Sequence, residues 1–179
     1  VAPLVSRNFG ASFEPFGVGG TFKRTMALAV GGSDDRLGVA KMDYGVLLSD
    51  DGGQSWRAYH HANTPPPWPD GTGDYRTRTA WGVALSPAAN DKTVVALVGD
   101  PASIVRSSDF GSSWELVSSN DSVESKKTRI FWHRQSPNII YAGGRRSTDT
   151  GLSWSAVSVS VLDMSKTNGN RVVGLERIA

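Results

Sequence analysis

One octapeptide, present three times, constrains this chain more than any other feature. It reads SDDGGQSW at 49–56, SSDFGSSW at 107–114 and STDTGLSW at 147–154, so the shared form is S-x-D-x-G-x-S-W. Its fixed residues include Ser49, Asp51, Gly53 and Trp56, then Ser107, Asp109, Gly111 and Trp114, then Ser147, Asp149, Gly151 and Trp154. The physics of the element is local. Asp accepts backbone N–H bonds, and Gly two residues on supplies positive φ. Ser on either side bonds to the nearby backbone. The closing Trp opens a strand and offers a large apolar face. Each octapeptide therefore reads as a hairpin turn between two antiparallel strands.

The flanks repeat as well. Before and after the first octapeptide stand Thr25–Val30, Leu37–Ala40, Gly45–Leu48 and Trp56–Tyr59. The second is framed by Thr79–Pro87, Thr93–Val98, Ser103–Arg106 and Trp114–Val117. The third is framed by Arg129–Pro137, Asn138–Ala142, Arg145 with Arg146, and Trp154–Val157. No stretch carries an apolar stripe of helical period. Twenty Gly and nine Pro in 179 residues turn the chain too often for a helix bundle. Four short strands per unit, at repeat spacings of 58 and 40 residues, predict an all-β chain of β-propeller blades, each of four antiparallel strands.

The expected organisation is one domain over 1–179, with blades at about 21–59, 79–117 and 128–157. A Pro/Gly-rich insertion fills 60–78, and 171–179 reads as the first strand of a further blade. The second and third repeats place Trp81 and Trp132 at one shared position, five to six residues before Pro87 and Pro137. That position belongs to an inner strand, either in the core or lining a channel.

Composition removes several classes. Without Cys there is no disulfide scaffold, thiol catalysis or Cys zinc site. A net charge of +2 is no nucleic-acid signature. No apolar run approaches the ~18 residues of a membrane-spanning helix. His60, His61 and His133 lack the spacing of a metal site, so neither a metal nor a cofactor is expected. The basic groups Lys126, Lys127, Arg129 and Arg145, Arg146 read as solvated loops, and nucleic acid is not an expected partner. Gly31-Gly32 and Gly143-Gly144 lack the setting of a phosphate loop.

The octapeptide resembles the Asp box, or BNR repeat, of sialidases, sortilin-type ectodomains and xyloglucan-hydrolysing glycosidases. The resemblance spans about residues 20–157. It implies a structural role for the boxes at the blade periphery, with their tryptophans in packing. It also implies rings of six or more blades. A chain of this length is then a partial propeller, part of a larger ring, an assembly of copies, or a small four-bladed ring.

A second phrase is similar to the xyloglucanase-type family. Ala40-Lys-Met-Asp-Tyr-Gly-Val46 parallels that family's A-R-T-D-I-G-G, with Lys41, Asp43 and Gly45 matching in kind while Met42 and Val46 depart. The Gly-rich Pro15–Gly20 also looks like a phrase of those enzymes. The resemblance implies that Asp43 is one of two carboxylates flanking a glycosidic bond, about 6.5–9.5 Å apart in an inverting enzyme. From the residues alone, Asp43-Tyr44-Gly45 is equally an ordinary D-x-G hairpin turn, and no second carboxylate stands out. The sialidase pattern fits less well. Its R-I-P phrase is missing, and Arg24, Arg76, Arg78, Arg129, Arg145 and Arg146 have no spacing that selects three.

The insertion offers a second candidate site. Trp68, Tyr75 and Tyr59 beside Asp70 and Asp74 suit a sugar platform, with aromatic faces for pyranose rings and carboxylates for hydroxyls. Trp68 in its Pro-rich setting could equally staple the loop to the surface. Two functions remain in view. One is a carbohydrate-directed propeller resembling an inverting glycoside hydrolase of polysaccharides. The other is a non-catalytic glycan- or protein-binding module, such as a virion tail or capsid component or a secreted recognition protein. The expected partner is a polysaccharide or glycan, with other copies or the rest of a larger propeller besides. The expected location is extracellular, secreted or virion-associated.

Overall fold

The computed structural model describes residues 4–6, 8, 10–15, 24–33, 35–42, 44–59, 79–99, 102–118, 129–157, 159–164 and 172–177. Among them are sixteen strands and no helix. A short pair, β1 (Leu4–Val5) and β2 (Glu14–Pro15), comes first. The first blade is β3 (Thr25–Val30), β4 (Leu37–Lys41), β5 (Gly45–Ser49) and β6 (Arg57–Tyr59). The second is β7 (Ala80–Leu85), β8 (Val94–Val98), β9 (Ser103–Ser107) and β10 (Glu115–Ser118). The third is β11 (Ile130–Trp132), β12 (Ile140–Ala142), β13 (Arg145–Ser147) and β14 (Ser155–Ala156). Each blade is an antiparallel meander in sequence order. The first strands β3 and β7 lie side by side, as do β7 and β11. These are the features of propeller blades around a common axis.

The middle blade explains the packing. Every residue of β7 and β8 is buried, because both faces are covered. The period-2 alternation of a strand sorts them. Val94, Ala96 and Val98 join Ala40, Val46 and Leu48 of the first blade in one cluster. Val95 and Leu97 join Ile140 and Ala142 of the third blade in another. Each such Val or Leu contributes about 1.5–3 kcal/mol by burial. A one-residue slip of β8 would exchange the two sets, so its register is strongly specified.

Polar contacts lock the seams. The Gly32 amide donates to the Ser86 carbonyl at 2.9 Å, and Arg36 Nη1 donates to the Asp91 carbonyl at 2.7 Å. Between the second and third blades, Arg106 Nε donates to the Thr150 carbonyl at 3.0 Å. Gly32 is obligatory here, since a Cβ would lie 2.2 Å from the Pro87 carbonyl oxygen.

Two sequence expectations need correction. Trp81 and Trp132 are not equivalent. Trp81 lies near the start of β7 and donates through Nε1 to the Gly99 carbonyl at 2.6 Å. Trp132 ends β11 and donates to the Pro137 carbonyl at 2.7 Å, at the other end of its blade. Pro87 follows its strand by two residues and Pro137 by five, so alignment on proline misplaces the tryptophans. The tail is also not the first strand of its sheet. β16 (Val172–Arg177) pairs antiparallel with an earlier strand, β15 (Val159–Met164), and it is β15 that lies beside β11.

Candidate functional site

The blades have two ends, and candidate residues stand at both. At one end lie the three octapeptide turns, which share one bonding scheme. The first Ser donates through Oγ to Asp Oδ1 at 2.7, 2.8 and 2.7 Å at Ser49, Ser107 and Ser147. The same Oγ accepts from the amides of Gly53, Gly111 and Gly151 at 2.8, 2.7 and 2.8 Å. The second Ser donates from both its amide and its hydroxyl to the Asp carboxylate, the hydroxyl bonds being 2.5, 2.6 and 2.5 Å. All three turns place two successive residues at positive φ: Gly52 and Gly53, Phe110 and Gly111, Thr150 and Gly151.

These bonds hold the carboxylates ionised. The Ser55 bonds lead the effect that drives Asp51 well below the usual carboxylate range, with Ser49 adding to it. Asp149 is lowered to about 2, chiefly by Ser153. At Asp109 burial pushes upward, yet the bonds from Ser113 and Ser107 outweigh it and the net shift is downward. Carboxylates so fully engaged are poor proton donors near neutral pH and serve as turn anchors. The tryptophans are partly buried. Trp56 and Trp154 donate to the Gly53 and Gly151 carbonyls at 3.0 Å, while Trp114 meets the Tyr59 ring edge-on at 6.1 Å.

The other end carries the β4–β5, β8–β9 and β12–β13 connections, and no two are alike. β4 ends at Lys41, paired in register with Gly45, whose φ is 79°. Period 2 puts Lys41 on the side of Leu37 and Val39, and its side chain is only 1% exposed. Burial pushes its ammonium below the usual lysine range. The backbone of Met42 is fixed by a 3.0 Å bond to the Arg24 carbonyl, and Tyr44 is exposed. The sequence matched Lys41 by kind, but its burial was missed. The alternation Leu37, Val39, Lys41 carried that signal.

Asp43 itself, with Trp68, Asp70, Asp74 and Tyr75, lies outside the described residues, as do Arg76, Arg78, His60, His61, Lys126 and Lys127. Tyr59, expected beside Trp68, is half-buried in the seam between the first two blades. Its ring would lie 2.9 Å from a Cβ on Gly111, and burial raises its phenol pKa. The structure thus places Tyr59 in packing. His133 is buried, and its Nδ1 accepts from the Ser136 amide at 2.9 Å. Among the described residues no group of three metal-ligating side chains occurs, and no helix is long and apolar enough to cross a membrane.

Sheets, seams and repeated turns together define a chain of β-propeller type, and solved structures agree. An ancestral GH74 enzyme superimposes with a TM-score of 0.61 at 22% identity, over 87% of this chain and 21% of that one. The GH74 xyloglucanase from Xanthomonas campestris gives 0.54 at 22% identity, over 85% and 21%. The Niastella koreensis GH74 enzyme gives 0.51 at 19%, over 76% and 19%. The chain therefore spans about one fifth of the length of these enzymes. No protein-family model matches it, and no curated protein sequence does.

Proposed function

We propose that this chain is a propeller module of a glycoside hydrolase acting on polysaccharide, with Asp43 as one of its acid–base carboxylates. The observation that carries the reading is the frame of the β4–β5 turn: a buried Lys41 on one side and a positive-φ Gly45 on the other. General acid–base work needs a carboxylate held in a fixed place with a tuned charge environment. The fold likeness to GH74 enzymes and the resemblance of residues 40–46 to the xyloglucanase phrase support the same reading. The octapeptides act as Asp boxes, holding the blades rather than touching substrate. The 60–78 insertion, with Trp68, Tyr75, Asp70 and Asp74, supplies the sugar platform. A polymeric substrate of this kind places the protein outside the cell.

The test is release of reducing ends from xyloglucan by the wild-type chain and by Asp43→Asn. General acid–base catalysis is worth about 10²–10⁴-fold, so the variant should lose at least about a hundredfold. Equal rates overturn the role of Asp43. Binding of the polysaccharide without hydrolysis, lost in Trp68→Ala and kept in Asp43→Asn, assigns the chain to recognition instead.

A further inference from the structure

The seam between the first two blades opens, at the octapeptide end, into a pocket of about 300 Å³. It lies at the far end of β4 from Lys41, where β4 begins. Its lining is almost wholly polar. Three cations converge on it: Arg36 from the β3–β4 turn, Arg57 from β6 and Lys92 from the β7–β8 turn. The two guanidiniums stand over the Phe110 ring, at 5.8 Å and 5.9 Å from its centroid. The ring is 5% exposed and so forms a covered floor, not a stacking face.

The charges are not all engaged. Arg57 pairs with Asp50 at 2.8 Å, and Asp109 is bound within its own octapeptide. Among the described residues, Arg36 bonds to a neutral carbonyl, that of Asp91, and to no carboxylate. Among the described residues, Lys92 and the Asp35 carboxylate make no side-chain bond at all; their backbone carbonyls accept from Phe110 and Gly52. The preformed pocket thus gathers three cations and three carboxylates, Asp35, Asp50 and Asp109. Lys92 and Arg36 form no ion pair among the described residues, and the Asp35 carboxylate accepts no side-chain bond among them. Ser33 and Ser112 also line the pocket, the Ser112 hydroxyl donating to the Asp109 carbonyl at 3.1 Å.

We propose that this pocket binds a hexuronate, a six-carbon sugar acid. Its carboxylate meets Lys92 and Arg36, and its ring hydroxyls donate to Asp35 and bond the two serines. The cations answer the acid, and the carboxylate and hydroxyl groups of the lining answer the hydroxyls, which a simple anion lacks. The volume sits at the lower bound of ligand sites and suits one sugar unit, not a chain. The binding requires no hydrolysis, so it stands or falls apart from the role of Asp43.

The test is calorimetric titration of the chain with sodium glucuronate at low ionic strength, with glucose, sodium acetate and L-serine as comparators. Saturable glucuronate binding is expected, at least tenfold tighter than each comparator. Lys92→Gln, at an exposed side chain, should weaken it about tenfold or more at unchanged melting temperature. Asp35→Asn, which removes the hydroxyl acceptor, should weaken it independently. No saturable binding overturns the proposal, as do equal affinities of wild type and Lys92→Gln. Acetate binding as tight as glucuronate marks a mere anion site. Tighter serine binding marks a zwitterion site, and either result overturns the assignment.

Discussion

The two ends of the blades obey different rules. At one end the β5–β6, β9–β10 and β13–β14 connections are copies, with the same octapeptide pattern, the same carboxylate bonds and the same pair of positive φ angles. At the other, a lysine-framed turn, the Gly99–Ala102 connection and a Gly143-Gly144 turn differ in length and chemistry. Repetition follows from a shared structural need, because every blade must turn there in the same way. Divergence is what the proposed role of Asp43 expects of its end. Substitutions within the octapeptides should therefore move stability, and substitution of Asp43 activity.

The largest expected effect belongs to the divergent end. Asp43→Asn should cut hydrolysis by about a hundredfold or more while the thermal midpoint stays put. Next comes Gly111→Ala. The new Cβ would stand 2.8 Å from Leu48 and 2.9 Å from the Tyr59 ring, at a φ of 89°. Left-handed strain and overpacking together should cost about 2–4 kcal/mol in denaturant titration. Ser107→Ala follows, because it strips a buried acceptor from the Gly111 amide. Its expected cost is about 1–3 kcal/mol.

Acid should separate the ends as well. The octapeptide carboxylates have lowered folded-state pKa values, to about 2 at Asp149. The unfolded chain then binds protons first, so their stabilisation is complete above an unfolded pKa of about 3.9. It is lost as pH falls from about 4 towards 2, which circular dichroism along an acid titration reads directly. The smallest effect is a gain. Thr150 holds a β-branched side chain at φ 60°, where the first blade has Gly52. Thr150→Gly removes that strain against a glycine entropy cost, and should stabilise by at most about 1 kcal/mol.

The blades were legible in sequence wherever an octapeptide anchored the register. Strands β7 to β10 match their expected spans within about a residue at most boundaries, since apolar runs such as Val94–Val98, bounded by Pro, Asn and Gly, leave little freedom. Legibility failed where that anchor was absent. β15 has no octapeptide after it, so the tail strand was read as first in its sheet. Trp132 was misplaced because Pro137 belongs to a longer turn than Pro87. The candidate site was legible only as a phrase: Lys41, Asp43 and Gly45 carry it, while the burial of Lys41 depends on strand alternation and packing. The seam pocket was not legible at all. Arg36, Arg57, Lys92 and Phe110 are far apart in the chain and meet only when two blades pack.

The division of labour between the two ends is tested most directly by one paired measurement, melting temperature and xyloglucan hydrolysis on Ser107→Ala and Asp43→Asn. The account predicts that Ser107→Ala melts lower yet hydrolyses at the wild-type rate below its transition. It predicts that Asp43→Asn melts with the wild type and hydrolyses at least about a hundredfold more slowly. An Asp43→Asn variant that melts low and keeps full hydrolysis, or a wild-type chain with no hydrolysis to lose, contradicts it.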